Sequence, residues 1–404
     1  MKALKKIVVI GGGFGGFRAV YKLQDYDYHF EVRLIDKNLY SIEKPALPEV
    51  AIEGKSEDEV EIEIPPVLRD ANTAWEEAEV VKIDPKNQIV YTNNNKEFEY
   101  DYLIVASGAI KAYDEIKGYE EYGYSVCNLK EAKKLYEKLK DFKGGNIVIG
   151  AAKSEFDTHE NIPNLKAPCE GPVGEVAFML QYKLNKEKIR NNISIFSPSE
   201  ILFEDVGEKV REEVGEIFKK RAIEVYANKE LVEIKKDSVI FSDGSTLKSD
   251  LTIVLPPYKA PEFIANSQLG DKKGFIYTNE NMQHHLYKNI YAIGDVNAIT
   301  QPKLGHLAIL QADVAISSIL NQEAIVNEPK EYKPEIFCIM NMGGIEATLI
   351  FSNVLYGGKY DIAWHSPIAK MMKLSFDTKY NYTQGHMPPD FIDNALEDII
   401  KKLA

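Results

Sequence analysis

An α/β fold with two Rossmann-like dinucleotide-binding units in tandem, followed by a distinct C-terminal section, is predicted by three stretches of sequence. Ile7-Val8-Val9-Ile10 runs into Gly11-Gly12-Gly13-Phe14-Gly15-Gly16. Asn146-Ile147-Val148-Ile149-Gly150 is a second buried-strand pattern of the same kind. Asn289-Ile290-Tyr291-Ala292-Ile293-Gly294-Asp295 is a third, long after the second unit has begun, so the first unit is read as discontinuous. Composition permits this: 404 residues with 45% hydrophobic and 27% charged residues are enough for two or three cores. Acids outnumber bases 62 to 49, a net charge of −13, which argues against a nucleic-acid binder. No apolar run approaches the roughly 20 residues of a spanning helix. Met1 to Ile7 resembles the start of a signal peptide, but the apolar run enters the glycines without a cleavage site.

In the first unit, a short β-branched run reads as a buried parallel strand. Phe17, Val20 and Leu23 then fall at helical spacing, and Val32-Arg33-Leu34-Ile35 is a second strand ending in Asp36. Each glycine of G-x-G-x-x-G has a task. Gly11 allows the tight turn, Gly13 lets the backbone approach a pyrophosphate, and Gly16 lets helix and strand pack closely. The helix N-terminus offers N–H groups to phosphate, and Asp36 sits where an acid would hold a ribose hydroxyl.

Two later segments favour FAD as the dinucleotide. Leu103-Ile104-Val105-Ala106-Ser107-Gly108 and Tyr291-Ala292-Ile293-Gly294-Asp295 resemble recurring motifs of the two-dinucleotide-domain flavoprotein superfamily. That resemblance implies that Ser107, Gly108 and Gly294 pass close to the cofactor and that Asp295 holds its ribityl chain. A helix beginning near Leu307 would offer its N-terminus to the reduced flavin. The FAD-binding domain is expected at 1–113 and 258–327, the second Rossmann-like domain at 114–257, and the C-terminal region at 328–404.

The second unit departs from a nicotinamide site. Its strand continues as Gly150-Ala151-Ala152-Lys153-Ser154-Glu155, so Ala152 and Glu155 replace the second and third glycines. Side chains there keep a pyrophosphate off the backbone. The strand Ile193-Ser194-Ile195-Phe196 ends in Ser197-Pro198 with no ribose-binding acid. The fold is expected to persist without the nicotinamide. The C-terminal section is rich in Met, Tyr and Phe around 369–376 and closes with a helical stripe of Phe391, Ala395, Leu396, Ile399, Ile400 and Leu403. That stripe reads as a packed helix or as an interfacial amphipathic segment.

The three cysteines, Cys127, Cys169 and Cys338, are too few for a disulfide framework and too far apart for a zinc site, so no metal is expected. Cys169, in Pro168-Cys169-Glu170-Gly171-Pro172, precedes a helical pattern of Val173, Val176, Ala177, Leu180 and Leu184. A cysteine at a helix N-terminus is expected to have a lowered pKa and to be nucleophilic. Cys338 lies in the strand-like Ile336-Phe337-Cys338-Ile339-Met340.

Five segments together resemble sulfide:quinone oxidoreductases of the archaeal type: Lys44 to Pro48, Tyr122 to Cys127, Cys169 to Pro172, Tyr291 to Asp295, and Pro302-Lys303-Leu304-Gly305. The resemblance spans nearly the whole chain, and each cysteine falls on a cysteine of that family. It implies that Cys169 and Cys338 form a redox-active pair, often bridged by sulfur, on one face of FAD. Cys127 would lie beside the flavin 8-methyl group, with covalent attachment left open. Lys44, Lys303, Leu304 and Gly305 would contact the cofactor. Hydrogen sulfide would be oxidised to polysulfide or sulfur, and a membrane quinone would take two electrons from the other flavin face through the C-terminal region. Phe376, Tyr380 and Tyr382 are candidates for the quinone lining, with packing or membrane contact the plainer reading. Glu170 is either a base for sulfide or a helix N-terminal acid. The implied protein is peripheral to the membrane, on the cytoplasmic face by default, with a homo-oligomer left open.

Four other readings compete. A type II NADH:quinone dehydrogenase needs the intact second glycine motif. A flavocytochrome c sulfide dehydrogenase subunit needs export. A pyridine-nucleotide disulfide reductase needs a close cysteine pair. A non-enzymatic flavin-binding sensor would keep the fold without turnover.

Overall fold

The computed structural model describes residues 3–157, 165–299 and 301–386. Its first parallel sheet has five strands in the order Ile290–Ala292, Tyr102–Val105, Lys5–Ile10, Phe30–Asp36 and Ala74–Glu77. Ile7 to Ile10 and Tyr102 to Val105 are buried throughout, as strands covered on both faces must be. The late strand Ile290–Ala292 pairs with Tyr102–Val105, so the unit is discontinuous in sequence. The second sheet is also parallel, in the order Gly123–Tyr124, Leu251–Leu255, Gly145–Ala151, Asn191–Phe196 and Glu224–Tyr226. Each unit carries a three-stranded antiparallel meander, Val80–Glu99 and Leu231–Lys248. The chain crosses between the units where Ile110–Lys111 pairs antiparallel with Tyr258–Lys259.

The first glycine loop folds as its spacing requires. Gly11 has φ +105°, and a methyl group at Gly16 would overlap the Gly11 carbonyl oxygen. Helix Phe14–Leu23 follows at once, with no acid in its first turn and no side chain capping it. The second unit is different. Among the described residues, the next helix after Gly145–Ala151 begins at Gly171, and Cys169 lies just before its N-terminus. The strand–turn–helix that would hold a second pyrophosphate is therefore not built at Gly150.

A third antiparallel sheet, Ile336–Asn341, Ala347–Ser352 and Asp361–His365, carries Cys338 opposite Ile350. Met340 and Ile350 share one core with Val176 of the Cys169 helix and with Leu47 and Val50 of helix Leu47–Glu53. That shared core fixes the two cysteine-bearing elements against each other. Helix Pro367–Tyr382 closes the described chain, capped by Ser366, which accepts from Ile368 N–H at 3.1 Å. The expected stripe from Phe391 to Leu403 lies outside the described residues.

Candidate active site

The two helix N-termini nearest the glycine loop belong to Phe14–Leu23 and Gly305–Gln322, the latter starting two residues before the expected Leu307. A buried ion pair fastens these helices together. Arg18 Nε donates to Asp313 Oδ1 at 2.6 Å, and Arg18 Nη2 donates to Asp313 Oδ2 at 2.9 Å. Neither N-terminus has a side-chain cap, so both offer free N–H groups to negative charge. Gly305 sits against the Phe14 ring, bringing the two ends together. A methyl group at Gly13 or at Gly108 would meet nothing within 4 Å. Ser107 Oγ, beside Gly108, is buried with no hydrogen-bond partner among the described residues. Asp36 holds the loop from the next strand, accepting the Gly12 N–H at 2.7 Å and the Asn38 N–H at 2.8 Å.

Asp295 follows Gly294, whose φ of +73° needs glycine and whose N–H donates to Gln311 Oε1 at 2.7 Å. A small cavity lies among Gly294, Asp295, Lys303, Leu304 and Gln311. Burial works to raise the Asp295 carboxyl, but Lys111, Lys44 and Lys303 overcome it and hold the group below its ordinary range. Burial lowers the Lys111 ammonium to about 8 against the pull of Asp295, 3.6 Å away. Lys111 also lies 3.0 Å from the centre of the Tyr258 ring. Burial likewise brings Lys303 to about 8. Its Nζ donates to the Asn297 and Ile299 carbonyls at 2.7 and 3.2 Å, while its own N–H donates to Pro168 O at 2.7 Å. The loop before Cys169 is thereby tied to the Asp295 loop.

All three cysteines are free thiols, Cys169 buried and the others half-buried. They converge. Cys338 and Cys127 both bear electrostatically on Cys169, and Lys111, Lys44 and Asp295 bear on Cys127. The expected lowering at Cys169 is corrected. Gly171 N–H does donate to its sulfur, but burial outweighs this and Asp205 adds a like charge, so the thiol stands well above its ordinary value. Cys127 and Cys338 are also raised, chiefly by burial. Burial therefore disfavours a standing thiolate at each of the three.

Glu170 is corrected too. It makes no side-chain cap on helix Gly171–Lys186. Its carboxylate accepts from Ser197 Oγ and from the Phe203 N–H (2.7 Å). Burial pushes it up to about 8. Tyr380 is buried and stacks on Phe14 with ring centres 4.8 Å apart, Phe376 stacks on Tyr380 at 6.3 Å, and Tyr382 is 87% exposed. These three therefore do not line one pocket.

Sequence reasoning missed Lys111, Gln311, Asp205, Glu49, Glu175 and Lys373. Only Lys111 had a local signal, a lysine just after the Ser107-Gly108 motif. The last three form a buried cluster, with Lys373 Nζ 3.2 Å from Glu49 Oε1 and 3.9 Å from Glu175 Oε1.

The pyridine nucleotide-disulphide oxidoreductase family profile matches residues 5–312, more than half of the chain. The chain belongs to that family. It is 29% identical to a sulfide-quinone reductase of Aquifex aeolicus, over 98% of this chain and 95% of that protein. A type II NADH:quinone oxidoreductase of Staphylococcus aureus is 24% identical over 79% of this chain and 84% of its own. The X-ray structure of the Aquifex aeolicus sulfide:quinone oxidoreductase superposes with TM-score 0.88 at 26% identity, covering 98% and 96% of the two chains. The resemblance drawn from the five sequence segments is thus borne out in this family member. Among the described residues, no helix is long and apolar enough to cross a membrane.

Proposed function

We propose that this protein is a sulfide:quinone oxidoreductase that oxidises hydrogen sulfide at Cys169 and Cys338 and delivers two electrons through FAD to a membrane quinone. The reading rests above all on the three cysteines gathered around one core, against which Cys127 and Cys338 pack and to which Ala167 and Val173, on either side of Cys169, belong. The Cys169 loop is tied to the Asp295 loop by the Lys303 N–H on Pro168 O. The residues present fit FAD: the open Gly13 and Gly108 backbones, the unpartnered Ser107 hydroxyl, and the two uncapped helix ends. When bound, FAD supplies the two-electron acceptor. The chain's part is to hold the thiols. With Cys169 and Cys338 oxidised to a bridge, sulfide forms a bond to one sulfur, the bridge breaks, and the other sulfur leaves as a thiolate carrying the electron pair. Lys111 and Lys303, buried beside Asp295, would balance negative charge there. Lys44 adds to that balance, and Leu304 and Gly305 bring the second helix end to the cofactor. Cys127, next to Lys111, is assigned to the flavin's benzenoid edge.

The division into 1–113 with 258–327, 114–257 and 328–404 belongs to the same reading. On helix Pro367–Tyr382 the exposed Ile368, Met371 and Leu374 support a surface that rests on the membrane near the quinone entrance.

The test is anaerobic flavin absorbance during separate titrations with sulfide and NADH. Sulfide alone is expected to bleach the flavin and a quinone to restore it. Bleaching by NADH alone would hand the assignment to the type II dehydrogenase class. A second expectation concerns the cradle. Gly13→Ala should cost the apoprotein no more than about 1 kcal/mol, the penalty of alanine at a helix N-cap, because its methyl enters open space. It should weaken FAD binding by about tenfold or more, roughly 1.4 kcal/mol. Gly16→Ala should instead fail to fold stably. Denaturant unfolding and FAD titration separate the two, and an unchanged FAD affinity in Gly13→Ala would remove the pyrophosphate from this loop.

A further inference from the structure

Asp205 is a buried carboxylate, 8% exposed, that the reaction outlined above leaves unused. Its loop is fastened on two sides. On one, Glu170, the chain neighbour of Cys169, accepts from the Phe203 N–H at 2.7 Å and the Glu204 N–H at 3.4 Å. On the other, the Gly207 N–H donates to Ser352 Oγ at 3.1 Å and to Asp361 Oδ1 at 3.0 Å. Ser352 ends the strand that pairs with the Cys338 strand. Phe203 takes a left-handed backbone, φ 59°, to make this bend. The loop thus spans the two cysteine-bearing elements. Buried in that loop, the Asp205 carboxylate bears on both Cys169 and Cys338 and opposes their ionisation. It also acts on Tyr356, whose buried hydroxyl has no hydrogen-bond partner among the described residues.

We propose that Asp205 is the acid–base group of the sulfur site, taking a proton from neutral hydrogen sulfide as that sulfur attacks the oxidised Cys169–Cys338 bridge. This rests on the sulfide reading above. The step balances. A sulfur–sulfur bond forms to one cysteine, the bridge bond breaks, its electron pair stays on the departing thiolate, and one proton moves to the Asp205 carboxylate. A second sulfide would carry the added sulfur away as polysulfide, leaving two cysteine thiolates whose electron pair a bound FAD would take as the bridge re-forms. A buried anion beside both thiols disfavours entry of hydrosulfide, so the neutral molecule is the form that enters. The partner-less Tyr356 hydroxyl is a donor for the sulfur that arrives.

Burial sets the Asp205 carboxyl at about 6, with its own N–H and Arg211 lowering it and Glu204 raising it. It is therefore ionised near neutral pH and able to accept. Glu170 faces the same loop and is raised to about 8 by burial, so it adds little charge. From the other side Cys338 meets Glu175 and Lys373, which oppose each other.

The experiment compares Asp205→Asn and Asp205→Glu with the parent, using two readouts. The first is iodoacetamide alkylation of Cys169 and Cys338 in reduced protein, read by mass spectrometry across pH. Removal of the anion should lower both thiol pKa values, so Asp205→Asn should alkylate about tenfold faster than the parent at the same pH. The second is the rate of sulfide-driven flavin bleaching. In the parent it should rise through a pKa near 6, in Asp205→Asn it should lose that limb and fall on the order of 10²-fold, and in Asp205→Glu the limb should return at a displaced pKa. Unchanged alkylation and an unchanged pH limb in Asp205→Asn would overturn the assignment. If Asp205→Asn does not fold, the Asp205→Glu limb decides: a pKa that stays where the parent has it overturns the assignment. Failure of the parent to bleach with sulfide would instead sink the sulfide reading, and the alkylation arm would still report on Asp205.

Discussion

Serine in place of Cys169 or Cys338 is expected to reduce sulfide-driven flavin bleaching by at least about 10³-fold while FAD stays bound. The reason is chemical. Sulfide must attack a sulfur whose partner can leave as a thiolate, and a serine oxygen can neither form the bridge nor leave from it. The folding cost is modest beside that loss. Cys169 is buried and accepts the Gly171 N–H, which a serine hydroxyl also can, and placing a hydroxyl in an apolar site costs about 1–3 kcal/mol. Cys338 sits in mid-strand opposite Ile350, where the backbone ladder is indifferent to the substitution. Flavin content from absorbance, and bleaching rate by stopped flow, separate loss of chemistry from loss of cofactor. Cys127→Ser is the contrast. Beside Lys111 and Asp295, it is expected to change flavin retention more than bleaching. Parent-like bleaching in either Cys169→Ser or Cys338→Ser would remove the pair from the reaction.

The parts of the site that the sequence revealed are those whose physics is local. Gly11 and Gly16 are required by a turn and by a helix–strand approach within one stretch of chain, so their spacing carries the information. The apolar runs Ile7–Ile10 and Tyr102–Val105 were legible because both faces are covered. What sequence misjudged was environment. Cys169 does precede a helix, but its thiol is governed by burial and by Asp205, and neither shows in the residues around it. Glu170 looked like a helix-start acid, yet it turns away to hold the bend at Phe203. Lys111 acquires its role only because its strand meets Tyr258–Lys259, far along the chain. The Lys373 cluster draws its members from three helices and has no linear trace.

That cluster carries the second large expectation. Lys373→Met should destabilise the protein by about 3–5 kcal/mol, the range for removing one partner from a buried ionic group. The Lys373 side chain is 6% exposed, with Glu49 at 3.2 Å and Glu175 and Asp377 each at 3.9 Å. It therefore joins helices Leu47–Glu53, Gly171–Lys186 and Pro367–Tyr382, the middle one carrying Cys169 at its start. The pH dependence follows from the signs. Despite burial, the surrounding acids raise Lys373 above its ordinary value, so its stabilisation is complete below about 10 and constant across neutral pH. Burial raises Glu175, whereas Lys373 overcomes burial at Glu49 and lowers it. Without the lysine, Glu49 becomes a second raised acid. A raised acid binds more protons folded than unfolded, so stability falls as pH rises through its titration. The deficit of Lys373→Met should accordingly be larger at about pH 8 than at about pH 5, and adding Glu49→Gln should recover part of it. Urea unfolding at both pH values measures this. An equal deficit at the two would assign the loss to the packing of the lysine stem, because packing does not titrate.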